Sequence, residues 1–147
     1  MIPTESAVAS LLKEFGFSRK GRTWWRTTTA TIQVINLQRG FGEQLHINLG
    51  AYFRALGEEA FPLEHSCHVR ARLERVCPCE FFEAIRLLQA PSIPTPEALE
   101  ALSTHAIRWL DFLSTEQGLC EYLASPEAKN VFVHRLARDL CDAKSAA

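Results

Sequence analysis

The chain has no stretch approaching the ~18 consecutive apolar residues of a membrane span, so no membrane insertion is expected. It also lacks an excess of either charge: 16 basic side chains stand against 17 acidic ones, a formal net charge of −1. No global field therefore draws it to nucleic acid or lipid. The opening Met1-Ile2-Pro3-Thr4-Glu5-Ser6 has no basic residue ahead of its first apolar stretch, which argues against a secretory leader. Glycine-rich phosphate loops, nucleophile elbows and the metalloprotease helix motif are missing as well. Acids are few in the first half, with none between Glu14 and Glu43, which disfavours a paired-carboxylate mechanism. Catalysis is thus left without a recognisable constellation, and no cofactor is expected.

What is present is an ordinary globular composition, 47% apolar and 22% charged over 147 residues. That length suits one domain, residues 1–147, able to bury a core without staples. Five cysteines (Cys67, Cys77, Cys79, Cys120, Cys141) are an odd number, which reads as free thiols in a reducing cytoplasm.

Periodicity divides the chain at about residue 76. Val8, Leu11, Leu12 and Phe15 share one helical face, with Thr4 as the expected cap and Gly16 as the exit. Thr23 to Thr29, Thr31 to Gln38 and Leu45 to Phe53 carry strand signals, joined by turns too short for crossover helices. Ile32 and Val34 fall on one face and Ile35 and Leu37 on the other. That strand is either covered on both sides or bulged near Val34. Residues 54–76 are ambiguous: Arg54 to Ala60 can form one helical turn, Pro62 to His65 reads as a loop, and Val69, Ala71 and Leu73 suggest a further strand. Beyond Pro78 the expectation is helical: residues 78–89, a long helix capped by Thr95, a short one near Leu119–Leu123, and a last one after Ser125-Pro126 bearing Phe132, Leu136 and Leu140. The tail after Asp142 is expected to fray. The predicted class is α+β: an N-terminal helix, a three- to four-stranded antiparallel sheet over residues 1–76, then a helical half, 77–147, packed on one sheet face. Residues 1–76 carry a net charge of +3 and residues 77–147 one of −4.

Four features bear on chemistry. Arg19-Lys20-Gly21-Arg22-Thr23-Trp24-Trp25-Arg26 interleaves cations with indoles, which suits single-stranded nucleic acid. It equally suits a Trp in the core beside a solvated edge strand, and the missing basic excess favours the latter. His46, Asn48 and Tyr52 alternate with the apolar Leu45, Ile47 and Leu49, and Asn36 and Gln38 can line up beside them. Such a row of amide, imidazole and phenol groups is either a recognition face or the wet side of an antiparallel sheet. Cys67, His68, Cys77 and Cys79 invite a zinc reading, but Cys77-Pro78-Cys79 has one residue where structural sites have two to four, so no metal is expected. Arg70 and Arg72 on one strand face suit an anion, or ion pairs with Glu58, Glu59 or Glu64.

The blocks Gly16-Phe17-Ser18-Arg19-Lys20-Gly21-Arg22-Thr23-Trp24-Trp25-Arg26, Val34-Ile35-Asn36-Leu37-Gln38, Ile47-Asn48-Leu49-Gly50 and Cys67-His68-Val69-Arg70-Ala71-Arg72-Leu73 occur in order. Over residues 5–80 this pattern resembles a bacterial family catalogued as domain of unknown function 4304. The resemblance implies a small α+β protein and brings no assigned activity. In size and style it is similar to immunity proteins that cap secreted toxins. The expectation is a cytoplasmic, non-enzymatic module that contacts another protein through Asn36, Gln38, His46, Asn48 and Tyr52 with Arg26, Arg70 and Arg72. The alternatives are a small anionic ligand or a reaction at the same residues, with His46 as base and Arg72 holding the anion, and nucleic-acid binding by the Trp-rich hairpin. The oligomeric state is left open.

Overall fold

The computed structural model describes residues 2–146. Helix α1 (Pro3–Glu14) begins with proline at its first position, where the missing N–H costs nothing. Thr4 is therefore inside the first turn and is not the cap expected of it. Its hydroxyl is directed at the carbonyls of Gln89 and Ser92, 2.8 Å from each, which ties the helix to a distant loop. Gly16 leaves the helix at φ 84°, a conformation that a side chain resists.

The sheet has six antiparallel strands in sequential order, against the three or four expected. They are β1 (Ser18–Lys20), β2 (Thr23–Thr27), β3 (Thr31–Arg39), β4 (Leu45–Phe53), β5 (Val69–Arg72) and β6 (Phe132–Val133). The two extra strands are three and two residues long, too short to carry a period. Pairing between β3 and β4 runs without interruption from Thr31↔Phe53 to Arg39↔Leu45. The phase change near Val34 is therefore no bulge. The strand is central and covered on both faces.

One face carries the main core. Trp24, Ile35, Leu37, Leu45, Ile47, Leu49 and Phe53 pack there with α1 and the C-terminal helices. The opposite face carries a smaller cluster of Trp25, Ile32, Val34, Tyr52 and Cys67. Residues 54–68 form a flap over it, pinned by two short 3-10 turns, Arg54–Leu56 and Glu64–Ser66. The Trp25 indole N–H donates to the Pro62 carbonyl (2.8 Å), and the Phe61 ring meets it edge-on at 5.5 Å. Gly50 permits the flap to close, since a Cβ there would stand 2.5 Å from the Cys67 sulfur.

The second half is less purely helical than its sequence suggests. Residues 78–89 give only a 3-10 turn, Cys79–Phe81, and the short α2 (Phe82–Arg86), with Cys79 exposed. Thr95 does cap its helix, accepting from the Ala98 N–H at 3.2 Å. That helix runs through α3 (Pro96–Glu100), a π-helical stretch (Ala101–Ala106) and α4 (Ile107–Phe112). Helix α5 (Glu116–Leu123) follows under a Thr115 cap. Ser125-Pro126 opens a 3-10 turn, Pro126–Asn130, and Phe132 lies in β6 rather than in the last helix. Helix α6 (Arg135–Ala146) continues past Asp142, where fraying was expected. Cys120 and Cys141 are joined in a disulfide that binds α5 to α6, so these two are not the free thiols the odd count suggested.

A polar network closes the main core. Gln33 has no exposed surface. Its carbonyl oxygen accepts from Arg26 Nε (2.7 Å) and its amide nitrogen donates to Asp111 Oδ1 (2.9 Å). Arg26 also donates to Asp111 (2.5 Å) and to the Phe15 carbonyl (2.9 Å), with its guanidinium over the Phe17 ring at 4.7 Å. Gln33→Ala removes the amide oxygen that Arg26 Nε donates to and the amide nitrogen that donates to Asp111. It is expected to lower unfolding free energy by about 2–4 kcal/mol in urea titrations.

His68 supplies a second check. It is buried against Tyr52, with ring centroids 4.7 Å apart, and its Nδ1 accepts from the Phe53 N–H (2.9 Å). Burial, aided by nearby His134, holds its pKa below the ordinary 6.5. The unfolded chain therefore takes up the proton first, and stability falls as pH drops below about 6.5. His68→Asn is expected to flatten that slope in melts between pH 7.5 and 5.5, about the imidazole range.

Candidate functional site

Strand register decides which side chains meet. Lys20 pairs with Thr23, Thr23 with Asn36, Asn36 with Asn48, and Asn48 with Arg72. These five residues form one row across five strands on the flap-bearing face, about 19 Å from end to end at ordinary strand spacing. Gln38 and His46 make the next pair to one side. Arg70, opposite Gly50, flanks the row on the flap side. The flap stops short of this region, so the face divides into a covered apolar half and an open polar half.

Within the open half the amides form a chain. Asn36 Nδ2 donates to the Arg22 carbonyl (3.2 Å) and the Thr23 hydroxyl (3.1 Å). Asn48 Nδ2 donates to Asn36 Oδ1 (3.3 Å) and Gln38 Oε1 (2.8 Å). The fold thus fixes each amide's orientation, since these oxygens accept and these nitrogens donate. Asn48 Oδ1 and Gln38 Nε2 have no protein partner among the described residues.

The cations are the second element. Arg72 is exposed and Arg70 half-buried. The Arg70 guanidinium stacks on Phe132 at 4.3 Å and donates to the His65 carbonyl at 3.2 Å. Its Nε is buried without a partner. The expected ion pairs with Glu58, Glu59 or Glu64 do not form: no carboxylate of the described residues lies within 4.0 Å of either arginine. Burial pushes the Glu64 carboxyl up, against the pull of Arg70.

His46 meets Arg72 at 3.3 Å through Nδ1. A guanidinium only donates, so Nδ1 accepts and the neutral ring carries its proton on Nε2. That nitrogen lies against Gly40, where a Cβ would meet it at 2.7 Å. The Arg72 contact occupies the lone pair that a general base would use. Burial, then the Arg72 charge, lower its pKa, and Glu74 opposes them.

Two expected members are elsewhere. Arg26 points to the opposite face, into the Gln33–Asp111 network. Tyr52 is on the right face but under the flap, 4% exposed, its hydroxyl accepting from the Glu59 N–H (3.2 Å). Three members escaped the sequence reading. Period-two alternation carried across the Gly21 turn would have found Lys20 and Thr23, whereas Phe132 reaches Arg70 through an edge strand without a sequence signal. In the Trp-rich hairpin, Trp24 and Trp25 are 1% and 8% exposed, so neither presents a ring face for a base. Arg19 and Arg22 both bond Glu5, at 3.2 and 2.7 Å, and the Arg22 hydrogen bond holds the Glu5 carboxyl below its ordinary pKa.

The weak metal candidates are dispersed. Cys67, in the flap, is buried against Gly50, Cys79 is exposed, the Cys77 sulfur faces the Ala101 carbonyl at 3.9 Å, and His68 Nδ1 is taken by Phe53. Among the described residues no group of three or more metal-ligating side chains converges. None of their helices is long and apolar enough to cross a membrane.

The electrostatics predict a titration. By NMR, His46 is expected to protonate below pH 6.5, with Arg72→Ala moving its midpoint up and Glu74→Gln moving it down.

Searches of the curated proteins and of the solved structures find no match. A family described as a domain of unknown function, DUF4304, matches residues 8–111. The match takes in α1 from Val8 onward, the first five strands and most of α4, and it extends beyond the blocks legible in residues 5–80 as far as Asp111, the partner of Gln33. On that coverage the chain belongs to the DUF4304 family.

Proposed function

We propose that the open half of the sheet docks an acidic protein partner, and that the chain acts by binding rather than by catalysis. One observation carries the reading. Lys20, Arg70 and Arg72 share an open face with no carboxylate of the described residues in ion-pair contact. Between them stands a row of amides oriented by the fold, in which the buried Asn48 holds Gln38 and the exposed Gln38 offers its Nε2 to a partner's backbone or side chains. Arg70 and Arg72 touch only neutral groups, the His65 carbonyl, the Phe132 ring and His46, so an arriving carboxylate adds attraction without displacing an ion pair.

The form of the face favours a protein over a small anion. His46 borders a cavity of about 240 Å³ with Glu74 and Arg86, but Asn36, Gln38, Asn48, Arg70 and Arg72 do not line it. Small ligands favour concave sites that bury most of their surface, whereas a row about 19 Å long has the reach of a protein interface. The finer reading, an immunity protein capping a toxin, rests on similarity of size and style, and a cytoplasmic location belongs to that same reading.

The test places a photo-crosslinking residue at Gln38 and irradiates cells of the source organism. The expected result is a crosslink to an acidic protein that is lost in Arg70→Glu/Arg72→Glu, with near-ultraviolet circular dichroism unchanged. An equal yield of the same crosslink in that variant would overturn the proposal. So would loss of a crosslink that phosphate alone competes away at millimolar concentration, the strength of a weak small-anion site.

A further inference from the structure

The disulfide Cys120–Cys141 closes a ring of chain, and β6 lies inside that ring. One end of the ring is on α5 and the other is in the second turn of α6. Between them the chain passes through the 3-10 turn Pro126–Asn130 and then Phe132 and Val133, with His134 alone separating β6 from α6. The strand is lightly held. It is an edge strand with two paired positions, Val69↔Val133 and Arg70↔Phe132. Its other ties are the half-buried Val131 and Val133 on the core, the His134 N–H on the His68 carbonyl (2.7 Å), and Phe132 under the Arg70 guanidinium. Ring closure removes conformations from such a segment, so opening the ring acts first on β6.

The sulfurs are within reach of solvent. Cys120 is half-buried and Cys141 is 8% exposed. Both residues line each of two shallow hollows, of about 300 and 470 Å³, so a thiolate can approach from either side. Arg138, one turn before Cys141, lines the first hollow and has no carboxylate of the described residues within ion-pair distance. Asp142 in the same wall offsets part of its field. At the second hollow, Lys144 is held by Glu116 at 2.9 Å. The buried thiols do not compete for this bond. Burial pushes the Cys67 thiol far up and the Cys77 thiol up to about 12, with Glu74 adding to the latter, so neither is a thiolate at neutral pH. Cys79 lines neither hollow.

We propose that Cys120–Cys141 is a redox-sensitive clamp on the docking face, opened by a dithiol. A thiolate of the dithiol attacks Cys120 Sγ, the more exposed sulfur. The S–S bond breaks, and Cys141 leaves as a thiolate beside Arg138 and takes a proton from water. The second thiol of the reductant then attacks the mixed disulfide and releases Cys120, which is protonated in turn. Two electrons and two protons pass to the chain, which ends with two thiols, and the dithiol ends as a disulfide. With the ring open, β6 parts from β5 and Phe132 from Arg70. The guanidinium must then be ordered as a carboxylate arrives, which weakens docking by about two- to tenfold. That last step rests on the proposed docking of an acidic partner; the clamp itself does not.

The experiment treats the full chain with millimolar dihydrolipoate near neutral pH and maps alkylated cysteines by peptide mass spectrometry. Amide hydrogen exchange is followed on the closed and open forms. Cys120 and Cys141 are expected to become alkylated together, and the His134 amide to exchange at least about tenfold faster, while β3 and β4 keep their protection. Cys120→Ser/Cys141→Ser is expected to match the reduced chain and to ignore the dithiol. A bond that millimolar dithiol leaves closed, or an opened chain whose His134 amide exchanges no faster, would overturn the proposal. So would loss of protection throughout β3 and β4, since the bond would then hold the whole fold. None of these readings needs a partner. In the Gln38 crosslinking assay the double serine variant is expected to give a several-fold lower yield. An equal yield, with Arg70→Glu/Arg72→Glu still abolishing the crosslink, would overturn the proposal and leave the docking reading standing.

Discussion

The nine-residue pairing of β3 with β4 is the constraint from which the other features follow. In a ladder without a bulge, side chains alternate strictly, and slipping the register by one residue would turn every one of them over. Ile35, Leu37, Ile47 and Leu49 reach the main core only in the observed register. That same register places Asn36 opposite Asn48 and Gln38 opposite His46 on the reverse side. The polar row is thus fixed by the burial behind it. A protein with its largest apolar cluster on one side of a central hairpin has no freedom to rearrange the other.

Covering both faces raises a problem that the flap solves only in part. A sheet with a wet face needs polar residues there, and β3 and β4 supply them at the Gly40 end but not at the other. Ile32, Val34 and Tyr52 would lie bare if residues 54–68 did not fold over them. The flap's own anchoring is modest: an indole hydrogen bond, an edge-on ring, and the Cys67 sulfur pressed on Gly50. Its edge marks the limit of the open surface. Arg70 stands at that limit, one nitrogen on the His65 carbonyl of the flap and its plane on Phe132.

Local pattern made the hairpins, the Gly16 exit and the Thr95 cap legible, because each depends on neighbours within a few positions. The face carrying Asn36, Gln38, His46 and Asn48 was legible for the same reason, being a matter of odd and even positions. Arg26 was not, because Trp24 and Trp25 are adjacent and both apolar. Alternation alone cannot say which of them, and hence which face of β2, enters the main core. The deciding partner, Asp111, is 85 residues away. Tyr52 was misplaced because the segment that covers it has no period. The arginines were expected to find acids in that same segment, but Glu58, Glu59 and Glu64 are near in sequence without being turned toward them. The Cys120–Cys141 pairing was hidden by an odd total, which says nothing about which thiols meet.

That crosslink bears on how any purified sample should be handled. It closes a loop across 21 positions and contributes about 3 kcal/mol by restricting the unfolded chain. Apart from it, α6 is held by Ala137, the half-buried Leu140 and the Lys144–Glu116 ion pair to α5 at 2.9 Å. Addition of dithiothreitol to a storage buffer therefore selects between two molecules, one with its last helix fastened and one with it able to lift. Since that helix follows directly on the strand bearing Phe132, the stack beneath Arg70 would loosen with it. Two laboratories using different reductants would be measuring different surfaces.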